Sequence, residues 1–418
     1  MSKRIVVTGL GVVSPIGNDI DTFWESMRTG RSGLDTIQAF DPSKYPCKIA
    51  GEVRDLDFSQ YVDPKEVRRT DRNILLAIVA AEQAIKNSEI DLESVDRERF
   101  ATIIGSGVGG ISTLESEQTK LLNRGPSRVS PFLIPMMISD MASGMVSIRH
   151  GLKGPNYCVV SACASGAHAI GDAFMALKSG MMDIALTGGT EATITPLSFA
   201  GFCSMKALST RNDTPRKASS PFDKKRDGFV MGEGSGIVIL ETLEHALARN
   251  ATIYAEMVGY GATGDAHHIS APPPDGEGAC RAMKMALRSA ELTPSDIDYI
   301  NAHGTSTPLN DKQESRAILD VFGEEAYTVN ISSTKSMTGH LLGASGGIEF
   351  IASALALRDG IVPPTINYED PDPDCPLSYT PNEAVKRNLT YAMSNSFGFG
   401  GHNASLILKK YEADQKNG

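Results

Sequence analysis

The stretch "ACASGAHAIGDAFMALKSGMMDIAL", residues 162–186, carries the reading of the whole chain. Just before it, "NYCVVSA" is an apolar run that reads as a buried strand. "GAHAIGDAFMALKSG" reads as a helix, with Ile170, Phe174 and Leu177 at helical spacing. Cys163 therefore falls at a strand-to-helix turn. A thiol there faces unpaired N–H groups and the positive end of the helix dipole, a setting that favours thiolate. The small neighbours Ala162, Ala164, Ser165 and Gly166 let a substrate approach closely. Free cysteine is as often a small buried hydrophobe, so this stretch alone leaves both readings open.

A similar segment returns as "GHLLGASGGIEFIASALALRDGIVPP", residues 339–364. It too has a reactive residue, a glycine a few positions on, a small-rich helix and an AL-[KR]-x-G ending. The match from Cys163 to His340 needs a three-residue gap. Repeated α/β halves would account for 418 residues, and a pseudo-two-fold would bring Cys163 and His340 together at equivalent helix starts.

The rest of the chain alternates in the same way, as α/β layers do. Strand candidates are 4–9, 101–107, 157–162, 183–189, 234–243, 253–263, 297–304, 328–335, 389–398 and 403–410. Residues 70–88 read as a long helix with Asp71 near its start. The polar stretch 209–229 reads as a long surface loop, and 271–279 and 368–381 as Pro-rich loops. The expected organisation is a half over 1–250, a half over 251–412 and a tail at 413–418.

Composition narrows the function. A net charge of -10 and the lack of a basic stripe argue against nucleic-acid binding. The six cysteines form no C-x-x-C pair, which fits a reducing compartment rather than a disulfide scaffold or zinc ribbon. No secretory signal is recognisable, and runs such as "ILLAIVAA" are too short to cross a bilayer, so a cytoplasmic protein with no membrane contact is expected. "GSGVGG" (105–110) matches G-x-G-x-x-G, but no second strand ending in an acid follows, so nicotinamide binding is not expected. The adjacent pair His267 and His268 is poor geometry for one metal.

Two more stretches bear on Cys163. "INAHGTSTPLND" (300–311) ends a strand with His303, followed by Thr305, Ser306 and Thr307. "SSTKSMTGHLLGASGG" (332–347) carries Lys335 and then His340 at a glycine-flanked helix start. Such positions are where open α/β folds collect ligands. With "SACASG", "STRND", "RDGFVMGEG" and "NSFGFGGHNASL", these motifs make the chain resemble the beta-ketoacyl-[acyl-carrier-protein] synthases, close to type II, among the thiolase-like condensing enzymes. The resemblance runs over nearly the whole chain.

The resemblance implies the duplicated thiolase fold, five layers α-β-α-β-α with two mixed sheets, and a homodimer. It implies chain elongation by decarboxylative Claisen condensation with malonyl-acyl-carrier protein, and neither cofactor nor metal. Cys163 would carry the acyl chain as a thioester. His303 and His340 would donate to the enolate oxygen, either of them could also handle water or a proton during decarboxylation, and the backbone N–H groups of Cys163 and Phe399 would form the second oxyanion hole. Phe399, among glycines, would gate loading from condensation. Lys335 would order the site, with Glu349 as its acidic partner on the helix begun by His340. Thr305, Thr307 and Ser270 would hold the pantetheine arm or malonyl group, and Val108 and Phe202 would line the acyl pocket. Asn301, Ser394 and Asn395 lie near where some relatives hold a structural cation. The carrier protein is acidic, so docking needs local cations, and Lys65, Arg68, Arg69, Arg128 and Lys206 match docking positions. Ordinary surface or core roles are the alternative for each of these side chains.

Other members of the fold fit less well. Thiolases pair their cysteine with one histidine and a late cysteine, whereas here Cys375 lies in a Pro-rich loop and His303 is present. A non-catalytic chain-length-factor-like partner usually lacks the active cysteine. A polyketide ketosynthase is the remaining alternative.

Overall fold

Apolar β-branched runs punctuated by glycine build ten strands of one sheet. The computed structural model describes residues 3–413. The strands are β1 (Ile5–Val13), β2 (Phe100–Gly105), β3 (Asn156–Val159), β4 (Ile184–Glu191), β5 (Gly234–Thr242), β6 (Ala255–Gly264), β7 (Tyr299–Asn301), β8 (Asn330–Ser332), β9 (Tyr391–Gly398) and β10 (His402–Lys410). Their lateral order is β8-β7-β9-β10-β6-β1-β5-β4-β2-β3. The second five repeat the order of the first. In each half the second strand runs parallel to its two neighbours, and the fourth, fifth and first pair antiparallel.

The halves meet edge to edge, where Ile5, Val6 and Val7 pair antiparallel with Met257, Glu256 and Ala255. The two expected mixed sheets are therefore halves of one continuous hydrogen-bonded ladder. Six helices complete the layers: α1 (Arg72–Ser88), α2 (Met141–His150), α3 (Ser165–Lys178), α4 (Glu277–Ala290), α5 (Pro308–Phe322) and α6 (Ser345–Asp359). Helices α3 and α6 pack on strands of both halves, so they form the central layer. Every residue of α6 from Ser345 to Leu357 is buried, as a helix covered on all sides requires. Helix α1 packs on β1 and β5 and against α2, and α4 packs on β6 and β10 and against α5, giving the two outer layers.

Glycine makes the outer packing close. A Cβ on Gly11 of β1 would sit 1.8 Å from the Ala80 carbonyl oxygen, and one on Gly261 of β6 would sit 2.1 Å from that of Ala282. Asp71 caps α1 by accepting from Asn73 N–H.

The internal echo is cleaner than the sequence reading. Cys163 lies in a 3₁₀ turn, Ala162–Ala164, that opens α3. The turn Leu342–Ala344 opens α6 in the same way. Ala162 and Leu342 take φ of 51° and 48°, uncommon for non-glycine residues. Ser165 Oγ accepts from Ser161 N–H, and Ser345 Oγ accepts from Leu341 N–H. The repeat thus runs without a gap, and the counterpart of Cys163 is Gly343. His340 stands three residues earlier, bridged to Met231 and outside α6. The expectations that His340 begins the helix of Glu349, and that it occupies the place equivalent to Cys163, are both corrected.

The stretch 209–229 is also not a solvated loop. Ala218 to Asp223 are buried, and Phe222 stacks on Tyr379 at 3.9 Å between centroids. Its charges misled the reading: Arg226 is buried against Asp311 and Asp372. The tail expected at 413–418 lies outside the described residues beyond Ala413.

Candidate active site

The two halves leave one apolar cavity of about 530 Å³ where the turn of Cys163 meets the loops after β7, β8 and β9. Cys163, His303, His340 and Phe399 line it together. Of the expected substrate contacts, Val108, Phe202, Ser270, Thr305 and Thr307 line it too.

Cys163 is held at the mouth of α3. The Lys335 charge and the backbone N–H groups of Phe399 and of Cys163 itself favour the thiolate. Burial outweighs them and pushes the thiol up to about 12. The helix start helps the thiolate, and desolvation works against it. Gly398 leaves the approach open, since a Cβ there would lie 2.7 Å from Ser161 O and 3.1 Å from Cys163 N. Gly400 and Gly401 take φ of 84° and 75°, and Gly400 N–H donates to Ile269 O.

The two histidines are buried and stand edge to face, 5.3 Å between ring centroids. Burial first, then the Lys335 charge, hold both well below the ordinary imidazole value, and His340 adds to the effect on His303. Both rings are therefore neutral at neutral pH. Their tautomers follow from their partners. Ser345 Oγ accepts from Leu341 N–H, and its hydroxyl has His340 Nδ1, at 3.0 Å, as the one acceptor recorded for it among the described residues and donates there. Lys335 Nζ, which can only donate, faces His303 Nδ1 at 3.4 Å. Each Nδ1 is thus an acceptor, and each Nε2 carries a proton. In these tautomers both imidazoles can act as hydrogen-bond donors.

Lys335 is buried and paired with Glu349 Oε1, as expected. Glu349 is pushed up to about 7 by burial, against the Lys335 charge and hydrogen bond. Its Oε2, Asn301 Oδ1 and Ser394 Oγ are buried without a partner. Asn301 and Ser394 face each other in register on β7 and β9. Such oxygens suit a hard cation. Asn395 Oδ1 instead accepts from Ser405 Oγ. Among the described residues, no group of three or more His, Cys, Asp or Glu side chains could hold a metal.

Several site residues escaped the sequence reading. Glu314, on α5, accepts from His303 N–H at 2.8 Å and Gly304 N–H at 2.7 Å. Burial pushes Glu314 up to about 7. Phe229 stands edge-on to His340 at 5.3 Å. Ser345 fixes the His340 tautomer, and its match to Ser165 in the echo was the available signal. Thr305 and Thr307 hydroxyls bond each other at 2.9 Å.

Of the expected docking cations, Lys206 alone lines the cavity, and it is exposed. Lys65 and Arg69 flank a separate hollow with Phe132, over whose ring the Arg69 guanidinium sits at 5.2 Å. Arg68 and Arg128 are exposed.

A cysteine at a helix mouth, two donor imidazoles and an open apolar cavity define a ketosynthase-type condensing site. The chain belongs to the beta-ketoacyl synthase family. The family's N-terminal domain model matches residues 2–246 and its C-terminal domain model residues 254–369. The chain is 55% identical to the 3-oxoacyl-[acyl-carrier-protein] synthase 2 of Synechocystis sp. over 410 residues, 98% of this chain and 99% of the relative. It is 53% identical to the protein of that name from Staphylococcus aureus over 412 residues, 99% of each. A solved type II polyketide ketosynthase, in complex with its acyl-carrier protein and bound to a hexaketide, matches with a TM-score of 0.92 at 34% identity. That match covers 99% of this chain and 100% of the solved one.

Proposed function

We propose that this chain elongates fatty acyl chains by decarboxylative Claisen condensation, giving 3-oxoacyl-[acyl-carrier protein] and CO₂. The observation that carries the reading is the meeting of Cys163, His303, His340 and the Phe399 loop in one cavity. The higher identity to 3-oxoacyl-acyl-carrier-protein synthases than to the polyketide ketosynthase favours fatty acyl substrates.

In the first half-reaction Cys163 sulfur attacks the acyl thioester. The thiol is protonated at rest, so its proton leaves with the pantetheine thiolate as the new S–C bond forms and the old one breaks. In the second, the malonyl C–CO₂ bond breaks and its electron pair becomes an enolate. His303 and His340 donate to the enolate oxygen, which costs no reorganisation because their tautomers are already fixed. The enolate carbon attacks the acyl carbonyl, whose oxyanion takes the N–H groups of Cys163 and Phe399. Collapse releases the Cys163 thiolate, which takes up one proton. Lys335 and Glu349 orient His303 rather than touch substrate.

The partners are an acidic acyl-carrier protein, met by Lys65, Arg68, Arg69, Arg128 and Lys206, and a second copy of the chain. The latter rests on the open sheet edge β3, whose Tyr157 is 41% exposed and whose neighbour Val160 is 57% exposed. The repeating strand order supports a boundary between residues 250 and 251. No helix among the described residues is long and apolar enough to cross a membrane, which accords with work in the cytoplasm.

Intact-mass measurement after incubation with an acyl-carrier-protein thioester tests the reading. An acyl adduct on the wild type, absent from Cys163→Ala, is expected. No adduct on the wild type, with a carrier proven competent, refutes it and leaves a non-catalytic member of the fold.

A further inference from the structure

The glycine loop 105–110 looks like a phosphate cradle, and the cradle is filled. The occupant is the chain's own Glu191 carboxyl, which burial pushes up to about 7 against the donors around it. This carboxylate, at the end of β4, is fully buried. Its Oε1 accepts from Ser106 Oγ at 3.1 Å and Val108 N–H at 3.2 Å. Its Oε2 accepts from Gly107 N–H at 2.7 Å and Gly343 N–H at 3.0 Å. Gly107 and Gly343 allow the clasp, since a Cβ on either would come within 2.8 and 2.7 Å of Oε2.

The donors belong to the walls of the acyl cavity. Gly107, Val108 and Leu342 line it. One carboxylate thus ties a loop of the first half to the silent turn of the second half, whose Gly343 N–H is the counterpart of the Cys163 N–H. By position in the repeat, the end of β4 at Glu191 corresponds to the end of β9 at Gly398. At one turn a fixed carboxylate takes the N–H. At the other, glycine leaves that place to the substrate oxyanion.

We propose that Glu191 is a positioning residue that sets acyl-chain selectivity, by clamping Val108 and the Leu342 turn against the cavity. The inference rests on the synthase reading above. Glu191 touches no substrate. An amide in its place keeps the volume but turns an NH₂ group toward backbone N–H donors, so at least one clasp opens. Hydrogen bonds to a charged group are among the stronger ones, and a pocket distinguishes single methylenes by about ten-fold or more.

The test is the ratio of Cys163 acylation rates from hexanoyl- and hexadecanoyl-carrier protein, read by intact mass for the wild type, Glu191→Gln and Glu191→Asp. The ratio is expected to shift by about ten-fold in Glu191→Gln, and Val108→Ala is expected to shift it without further change in the double variant. Glu191→Asp, which keeps the carboxyl, is expected to lie between. General loosening of the fold slows both chains alike and leaves the ratio unchanged. A ratio within about two-fold of wild type in Glu191→Gln, or in Glu191→Asp should the amide variant not fold, overturns the inference. Wild type that loads neither chain overturns the synthase reading, and this inference with it.

Discussion

Burial governs the reactivity of Cys163, and pH is the perturbation that exposes it. The thiol stands at about 12 rather than the ordinary 9.0. At pH 8 roughly a thousand-fold fewer sulfurs are thiolate than in an ordinary cysteine. A more basic thiolate is a better nucleophile, which returns roughly twenty-fold. Alkylation by neutral iodoacetamide in the free protein is therefore expected to run roughly fifty-fold slower than in a free thiol. More tellingly, the rate should climb about ten-fold for each pH unit from about 7 to 10, with no plateau. Lys335→Met removes a charge that favours the thiolate and should slow the reaction further at every pH. The assay is peptide-level mass spectrometry of the Cys163 peptide, which separates it from Cys47, Cys158 and Cys375, all also raised by burial. A plateau below about pH 9 would mean a preformed thiolate. It would refute both the dominance of desolvation and the route by which the thiol proton leaves with pantetheine.

The other expectations concern the residues around it. Ser345→Ala frees His340 Nδ1, and condensation should slow by about 10–100-fold while acyl loading of Cys163 stays near wild type, measured in separate half-reaction assays. Glu349→Leu strands the buried Lys335 and should cost about 3–5 kcal/mol in denaturant unfolding, whereas Lys335→Met/Glu349→Leu should recover most of that stability without recovering activity. Lys206→Glu should raise KM for acyl-carrier protein and weaken its salt dependence with little change in kcat. Val160→Asp places charge beside an open edge strand, and light scattering is expected to find a dimer for the wild type and a monomer for the variant.

Much of the site was legible because its parts are local. Cys163 declares itself by a strand, a small-residue turn and a helix in one contiguous stretch. His303, Lys335 and His340 sit in motifs whose company is as informative as the residues. The acids were not legible, because what they do is decided by distant backbone. Nothing near Glu191 in the chain reveals that Gly107 and Gly343 donate to it, and Glu314 serves His303 through main-chain N–H groups that no side-chain pattern reports. The echo was found but set in the wrong register. Laying reactive residue on reactive residue required a gap, whereas laying Ser165 on Ser345 and Gly180 on Gly360 requires none. Backbone geometry is what the two halves share, and chemistry survives in only one of the turns. The stretch 209–229 misled for a related reason: Arg226 is charged yet buried, because Asp311 and Asp372 meet it there.

The seam between the halves has a consequence for how the chain is made. All nine residues of β1 end buried. Yet Ile5 pairs with Thr242 on one side and Met257 on the other. At roughly 5–20 residues per second, the nascent strand waits roughly 10–50 s for its first sheet partner. Throughout that interval "IVVTGLGVV" is an unpaired apolar strand with both edges open. Helix α1 is made before β5 and can shield this strand, and the glycines that let α1 lie so close to β1 serve the newborn chain as well as the finished enzyme. Growth at high expression or high temperature should therefore load chaperones with this chain before β5 has been translated.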